Sequence, residues 1–312
     1  MWANAHFLPN MQATSPDKHV SQQKHKLQRR HTLTAYSFIA PNFIGFFIFT
    51  LIPVIFSFIL AFMSWDSFST PKFVGFDNFV KMVHDTTFWI SFKNTFLYTL
   101  GVVPATLVCS LGLAILLNKK LAGVKFFRTA FFFPYVTSLV AIAVVWNMLF
   151  HPTMGPINQF LRHFITNPPG WATSSQWALT AIIIVSIWRF MGYYMILYLA
   201  GLQAVPKELY EAAEVDGAGK WKQFLNVTLP SLRPTTFFVT IMLMINCFKI
   251  FDLVQVMTDG GPGRATNVLV YEIYSEAFVK FNFGYASAIA LVLFVIVLGI
   301  TVLQFTWERK RG

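Results

Sequence analysis

Six long apolar runs alternate with polar stretches along the chain. They extend from about Tyr36 to Trp65, Thr95 to Leu117, Ala130 to Phe150, Trp177 to Leu199, Thr235 to Met257 and Tyr285 to Trp307. A helix crosses the hydrocarbon core of a bilayer with about 20 mostly apolar residues, and it satisfies its own backbone hydrogen bonds there. Short segments of strict apolar–polar alternation, the mark of barrel strands, are not seen. The pattern predicts an all-α polytopic membrane protein with six transmembrane helices. It divides the chain into a basic tail (1–34), a first helix (35–65), an outer loop (66–93), a five-helix core (94–307) and a short tail (308–312), with a polar insert at about 203–232 inside the core.

Composition supports this division. Only 12% of the 312 residues are charged and 55% are hydrophobic, against about 25% charged in a typical soluble domain. Cys109 and Cys247 lie inside apolar runs and suggest neither a disulfide framework nor a metal site. The net charge of +11 raises the question of nucleic acid, which its distribution answers. Sixteen of the 24 Lys and Arg residues fall in the N-terminal tail, the second-to-third connection, the fourth-to-fifth connection and the C-terminal tail. Lysine and arginine mark the cytoplasmic loops of membrane proteins, so both termini of this multi-pass chain are expected in the cytoplasm. The basic tail with His19, His25 and His31 suits anionic lipid headgroups, and no nucleic-acid partner is expected. The first apolar run follows a polar tail and is too long for a cleaved signal, which predicts an uncleaved anchor; Met11 offers a second start.

The polar insert, ELYEAAEVDGAGKWKQFLNVTLP over residues 208–230, lies between the fourth and fifth runs on the expected cytoplasmic side. Leu209, Ala212, Ala213 and Val215 suit a short helix with one apolar stripe, and Glu208 and Glu211 near its start complement the helix dipole. Gly217 and Gly219 are expected to end it. Trp221, Phe224 and Leu225 form a second amphipathic piece, which Pro230 and Pro234 are expected to close. An interfacial helix resting on lipid is one outcome. The carboxylates of Glu208, Glu211, Glu214 and Asp216 argue against it, because anionic headgroups repel them, and favour a docking surface for a soluble partner.

Glu211-Ala212-Ala213, three residues, Gly217, nine residues, Val227, one residue and Leu229-Pro230 resemble the EAA loop of binding-protein-dependent ABC importer permeases, with Val227 where the family has Ile. FVGFDNF (73–79), FDLVQVMTDGGPGRAT (251–266) and FNFGYASAIA (281–290) resemble the carbohydrate-uptake branch, and the likeness extends over about residues 36–308. It implies a permease subunit that works with a second permease subunit, two cytoplasmic ATPases and an external solute-binding protein. ATP and Mg are then bound by the ATPase, and this chain holds no cofactor. It further implies that Glu208, Glu211, Ala212, Ala213, Asp216, Gly217, Leu229 and Pro230 form the ATPase-coupling loop.

Ionisable and polar residues within spans are functional candidates by default, because they are costly there. Trp188, Arg189 and Tyr193 in the fourth run, and Asn246 and Lys249 in the fifth, are the candidates for a solute pathway. Aromatic faces and paired donors and acceptors suit sugars. Two plainer readings compete. Lys249 and Asp252 can neutralise each other on one helix face, and any single aromatic can be packing in so aromatic a chain. Trp65 and Trp307 read as interface anchors. A P-loop is missing: Trp221 follows Gly219-Lys220 where Ser or Thr is required. No catalytic residues and no metal ligands are expected, and the chain is not read as an enzyme. An ion-coupled carrier would want inverted repeats and unwound half-helices; a membrane-embedded enzyme would want clustered acids, bases or metal ligands.

Overall fold

The computed structural model describes residues 34, 36–119 and 122–310; the basic tail and its expected lipid contacts lie outside these. The chain forms two compact units, residues 1–57 and 58–312. The first holds most of helix α1 (Tyr36–Leu60), which widens into a π-helical stretch at Phe47–Leu51. Pro53 lies one residue beyond this stretch's C-cap, Ile52. A proline has no N–H to offer the ladder, and a wider turn accommodates the gap.

In the second unit the first apolar run ends earlier than its hydropathy suggests. The chain leaves the helix at Leu60 and forms a two-stranded antiparallel hairpin, β1 (Met63–Ser64) and β2 (Lys72–Phe73), with Met63 opposite Phe73. Asp66 holds the connecting turn by accepting from Ser69 N–H, Ser69 Oγ and Phe68 N–H at 2.7, 2.7 and 3.0 Å, and these bonds bring its carboxyl down to about 2. Trp65 lies in this hairpin rather than at a helix end; its Nε1 donates to Ser69 O at 3.0 Å. Asn78, in α2 (Asp77–His84), donates to Ala61 O and Met63 O, both at 2.9 Å, which fixes the hairpin to the helix below it.

Helix α3 (Thr86–Leu117) has 32 residues and starts nine positions before the apolar run, because Asp85 caps it by accepting from Thr87 N–H at 2.8 Å. The third apolar run is broken in two. Helices α4 (Val124–Val136) and α5 (Leu139–Leu149) meet at 100°, where Thr137 and Ser138 take extended backbone angles. Pro134 precedes the break and leaves the ladder one bond short. A short helix, α6 (Pro156–Leu161), leads to α7 (Ala178–Ala204). After the polar insert come α10 (Arg233–Phe248), α11 (Asp252–Met257), α12 (Leu269–Tyr274, continuing as a π-helical turn over Ser275–Val279) and α13 (Phe283–Arg309). Among the described residues four helices are long and apolar enough to cross a membrane singly, or up to six spans result if each bent pair counts as one.

The core forms where α3 packs on α7. Tyr98, Val102, Ala114, Ala181, Ile182, Val185, Tyr194 and Tyr198 are buried there, and Tyr98 Oη donates to Ser186 Oγ at 2.8 Å. Small residues let such helices approach closely, which is how spans associate without a hydrophobic driving force. Gly192 carries this furthest: a Cβ built on it would lie 1.7 Å from Phe131 O of α4.

Candidate functional site

The polar insert folds as a helical hairpin, α8 (Lys207–Val215) and α9 (Lys220–Ser231). Gly217, at φ +73°, ends α8 with open space where a Cβ would stand. Ala218 N–H donates to Ala213 O at 2.8 Å and Gly217 N–H to Glu214 O at 3.0 Å, the pair of bonds that closes a helix through a left-handed residue. Tyr210 Oη and Thr228 Oγ1, 3.0 Å apart, tie α8 to α9. Pro230 and Pro234 flank the break that ends the unit, Pro230 one residue before the last of α9 and Pro234 in the first turn of α10. A π-helical turn over Phe224–Thr228 precedes Pro230, a wider turn that admits a donorless residue, and α9 runs on to Ser231 before bending 63° into α10.

This arrangement directs the acids outward. Glu208, Glu211, Ala212, Glu214, Asp216, Gly217 and Pro230 are exposed, while Ala213 and Leu229 are half-buried. Val215 and Trp221 are 88% and 70% exposed. Behind the hairpin, Ile115 and Asn118 at the end of α3 and Leu202 near the end of α7 face Tyr210, Gln223 and Phe224 across a cavity of about 280 Å³.

A second cavity, of about 250 Å³, lies among the helices. It is lined by Tyr98, Tyr135, Ser186, Arg189, Asn246, Lys249, Asp252 and apolar neighbours. Asn246 Nδ2 donates to Tyr194 Oη at 3.2 Å. The Arg189 guanidinium lies over the Tyr135 ring, 5.2 Å from its centroid, and its Nε is buried without a hydrogen-bond partner. Of the pathway candidates, the structure brings Arg189, Asn246 and Lys249 together at this cavity. Tyr193 stands behind its wall, stacked on Tyr135 at 4.2 Å. Trp188 meets Trp146 edge-on at 5.4 Å and is not among the lining residues.

The fifth apolar run is also interrupted here. Helix α10 ends at Phe248, Phe251 takes φ −143° and ψ −63°, and α11 begins at Asp252. Lys249 and Asp252 therefore do not share one helix face. No ion pair joins them, although both line the cavity. Tyr98, Tyr135 and Ser186 line it too without having drawn notice in the sequence, since one aromatic or hydroxyl among so many carries no signal of its own.

A further cluster braces α12 against α3 and α13. Glu272 and Glu276 are 1% and 4% exposed. Glu272 accepts from Asn267 Nδ2 at 2.7 Å and from Lys280 Nζ at 3.4 Å; Glu276 accepts from Lys280 Nζ and Asn282 Nδ2. Asn94 of α3 donates to Arg264 O and Asn267 O, and Tyr285 Oη donates to Asp85 Oδ2 at 2.7 Å. The four-residue spacing of Glu272, Glu276 and Lys280 is visible in the sequence as one helix face. The Lys280→Met variant is expected to lower the melting temperature in detergent by leaving two buried carboxylates without a cation. Breaking a buried pair costs about 3–5 kcal/mol; Lys280 is half exposed, so roughly 2 kcal/mol is expected here. An unchanged melt would mean that the amides alone hold the carboxylates. Burial draws the Lys280 ammonium down, but the hydrogen bonds it donates to Glu276 and Glu272 and their negative charges outweigh this and raise it above its ordinary value. The contribution is therefore present through neutral pH and is lost only as pH rises through that raised value.

The chain matches the family model described as binding-protein-dependent transport system inner membrane component over residues 33–311. It is 36% identical over 276 residues to a probable ABC transporter permease of Pyrococcus horikoshii, covering 88% of this chain and 94% of that protein. It is 35% identical over 292 residues to the lactose transport system permease LacF of Rhizobium radiobacter, covering 91% and 97%. Among solved structures it resembles a bacterial ABC transporter involved in the import of the acidic polysaccharide alginate, with a TM-score of 0.80 at 24% identity over 93% of this chain and 99% of that one; at that identity the likeness speaks for the fold.

Proposed function

This chain belongs to the inner membrane components of binding-protein-dependent transport systems, and from that membership we propose that it is the permease half of an ATP-driven importer for a sugar or oligosaccharide. It is a multi-pass membrane protein and a transporter component. In the proposal it pairs with a second permease subunit, receives solute from an external binding protein, and meets one of two cytoplasmic ATPases through α8 and α9. ATP and Mg are bound by those ATPases and not by this chain, and both termini lie on the ATPase side. The observation that carries the reading is the helical hairpin. Its four carboxylates face outward, its apolar Val215 and Trp221 are uncovered, and its inner side rests near the ends of α3 and α7.

The carbohydrate assignment draws on the lactose permease likeness and on the cavity, where tyrosine, serine and asparagine side chains offer ring faces and hydrogen-bond partners together. A rigid hairpin can pass ATPase closure to the spans as a rigid-body push, and Arg189 and Lys249 then meet solute on its way through. The test is to purify the tagged chain from native membranes in mild detergent, identify what accompanies it, and measure uptake of a labelled sugar panel into vesicles. An ATPase, a second permease and a binding protein are expected, with uptake that requires ATP inside the ATPase-side compartment. A chain that comes down alone, or as a homodimer without an ATPase, overturns the assembly. An intact assembly that moves no sugar overturns the carbohydrate assignment alone.

A further inference from the structure

The bend that joins the hairpin to the spans opens a groove at the membrane boundary. Leu229 of α9, Arg233, Thr236, Phe237 and Thr240 of α10, and Gln304, Trp307 and Glu308 of α13 enclose about 400 Å³. The walls are apolar where Leu229, Phe237 and Trp307 stand, and the charges are confined to one end. Arg233 Nε and Glu308 Oε1 are 3.7 Å apart, with side chains 43% and 25% exposed.

The level of the groove follows from α13. Its apolar run stops at Trp307, and Glu308, Arg309 and Lys310 follow at once. That sequence of an amphipathic aromatic and then charges marks the zone of lipid headgroups. The charged end of the groove thus lies at headgroup depth, and Phe237 and Thr240 lie toward the hydrocarbon. The ion pair is long and partly exposed, and such pairs contribute little, so parting it to admit a ligand costs little.

We propose that this groove holds one phospholipid with a phosphoethanolamine headgroup. The Arg233 guanidinium takes the phosphate, the Glu308 carboxylate takes the ammonium, and one acyl chain lies along Phe237 and Thr240. Arginine recognises phosphate through a fork of N–H donors, and a primary ammonium supplies the N–H groups that a carboxylate accepts. The pair has no net charge, so it complements a zwitterionic headgroup. A phosphatidylglycerol headgroup satisfies Arg233 but brings no cation to the Glu308 carboxylate, only neutral hydroxyl donors. A phosphatidylcholine headgroup carries no N–H for Glu308. The bound lipid braces the angle between α9 and α10, next to Leu229 and Pro230.

The test uses the full chain with its accompanying subunits, extracted from a bacterial host whose membrane contains phosphatidylethanolamine and phosphatidylglycerol, then delipidated in steps. Retained lipid is counted by native mass spectrometry. One phosphatidylethanolamine per chain is expected to outlast phosphatidylglycerol. Glu308→Gln is expected to shift the retained ratio toward phosphatidylglycerol about tenfold, a difference of ~1.4 kcal/mol, and Arg233→Gln to release both. Thr240→Trp fills the groove with both charges intact and is expected to abolish retention. Lipid retained in the membrane's own proportions by every variant overturns the proposal, as does a Thr240→Trp chain that keeps its lipid or a neighbouring subunit seated in the groove. Should the variants not fold, the unaltered complex in nanodiscs decides. A higher melting temperature with phosphatidylethanolamine than with phosphatidylcholine or phosphatidylglycerol supports the site; equal melts in all three refute it.

Discussion

Glu211→Lys is expected to strip the ATPase from the purified complex and bring solute uptake to background, while the chain itself stays folded in the membrane. Glu211 is exposed on α8, as are Glu208, Glu214 and Asp216, so the substitution disturbs no packing within the chain. In the proposed docking the ATPase buries Glu211 against a basic group, and truncating one side of such a pair costs about 2–5 kcal/mol. Reversing the charge adds like-charge repulsion, so a loss of thirtyfold or more in ATPase retention is expected, read by quantitative pull-down. Glu211→Gln separates charge from shape and should retain part of the ATPase. Uptake at the unaltered level with Glu211→Lys would falsify the docking role of the hairpin, and a lowered melting temperature of the chain alone would show that the effect is one of folding.

The hairpin was legible because its signals are local. A glycine that must adopt a left-handed angle, an apolar stripe and a run of acids all sit within one stretch of sequence, and Gly217 ends α8 where its position indicates. The spans were legible as apolar lengths. Their breaks were not, because hydropathy is blind to backbone direction. Residues 137–138 and 249–251 are as tolerable in a continuous helix by composition as in the turns they form. Pro134 and the N-cap Ser138 are the local hints at the first break, and Lys249 and Asp252 at the second, a pair that reads equally well as self-neutralised on one continuous helix. The cavity lay further out of reach. Trp188 and Arg189 are neighbours in sequence, yet about 100° apart around a helix, and only the packing of α7 decides that one reaches the lining and the other meets Trp146. The Glu272–Glu276–Lys280 face was present in the sequence, but it fell in what the apolar pattern left as a connecting loop.

Gly192→Ala and Gly299→Ala make the same chemical change inside long apolar helices and are expected to have opposite consequences. At Gly192 the added methyl would lie 1.7 Å from Phe131 O, 2.4 Å from Phe131 C and 3.0 Å from Phe132 N, all backbone atoms of α4. No rotamer relieves that contact, so α4 and α7 must move apart. The stacked pair Tyr135–Tyr193 at 4.2 Å and the Arg189–Tyr135 contact at 5.2 Å bridge the same two helices and part with them, which opens the wall of the central cavity. Overpacking of this kind costs about 1–3 kcal/mol where side chains can yield and more where they cannot; about 3 kcal/mol or more is expected here, with a reduced yield of monodisperse protein. At Gly299, nothing lies within 4 Å of the added methyl, and alanine's higher helix propensity favours the variant by up to about 1 kcal/mol. Melting temperatures of the two variants in the same detergent decide the matter. Equal melts would mean that α4 and α7 are not in contact at Gly192, and the cavity wall built on that contact would then have to be redrawn.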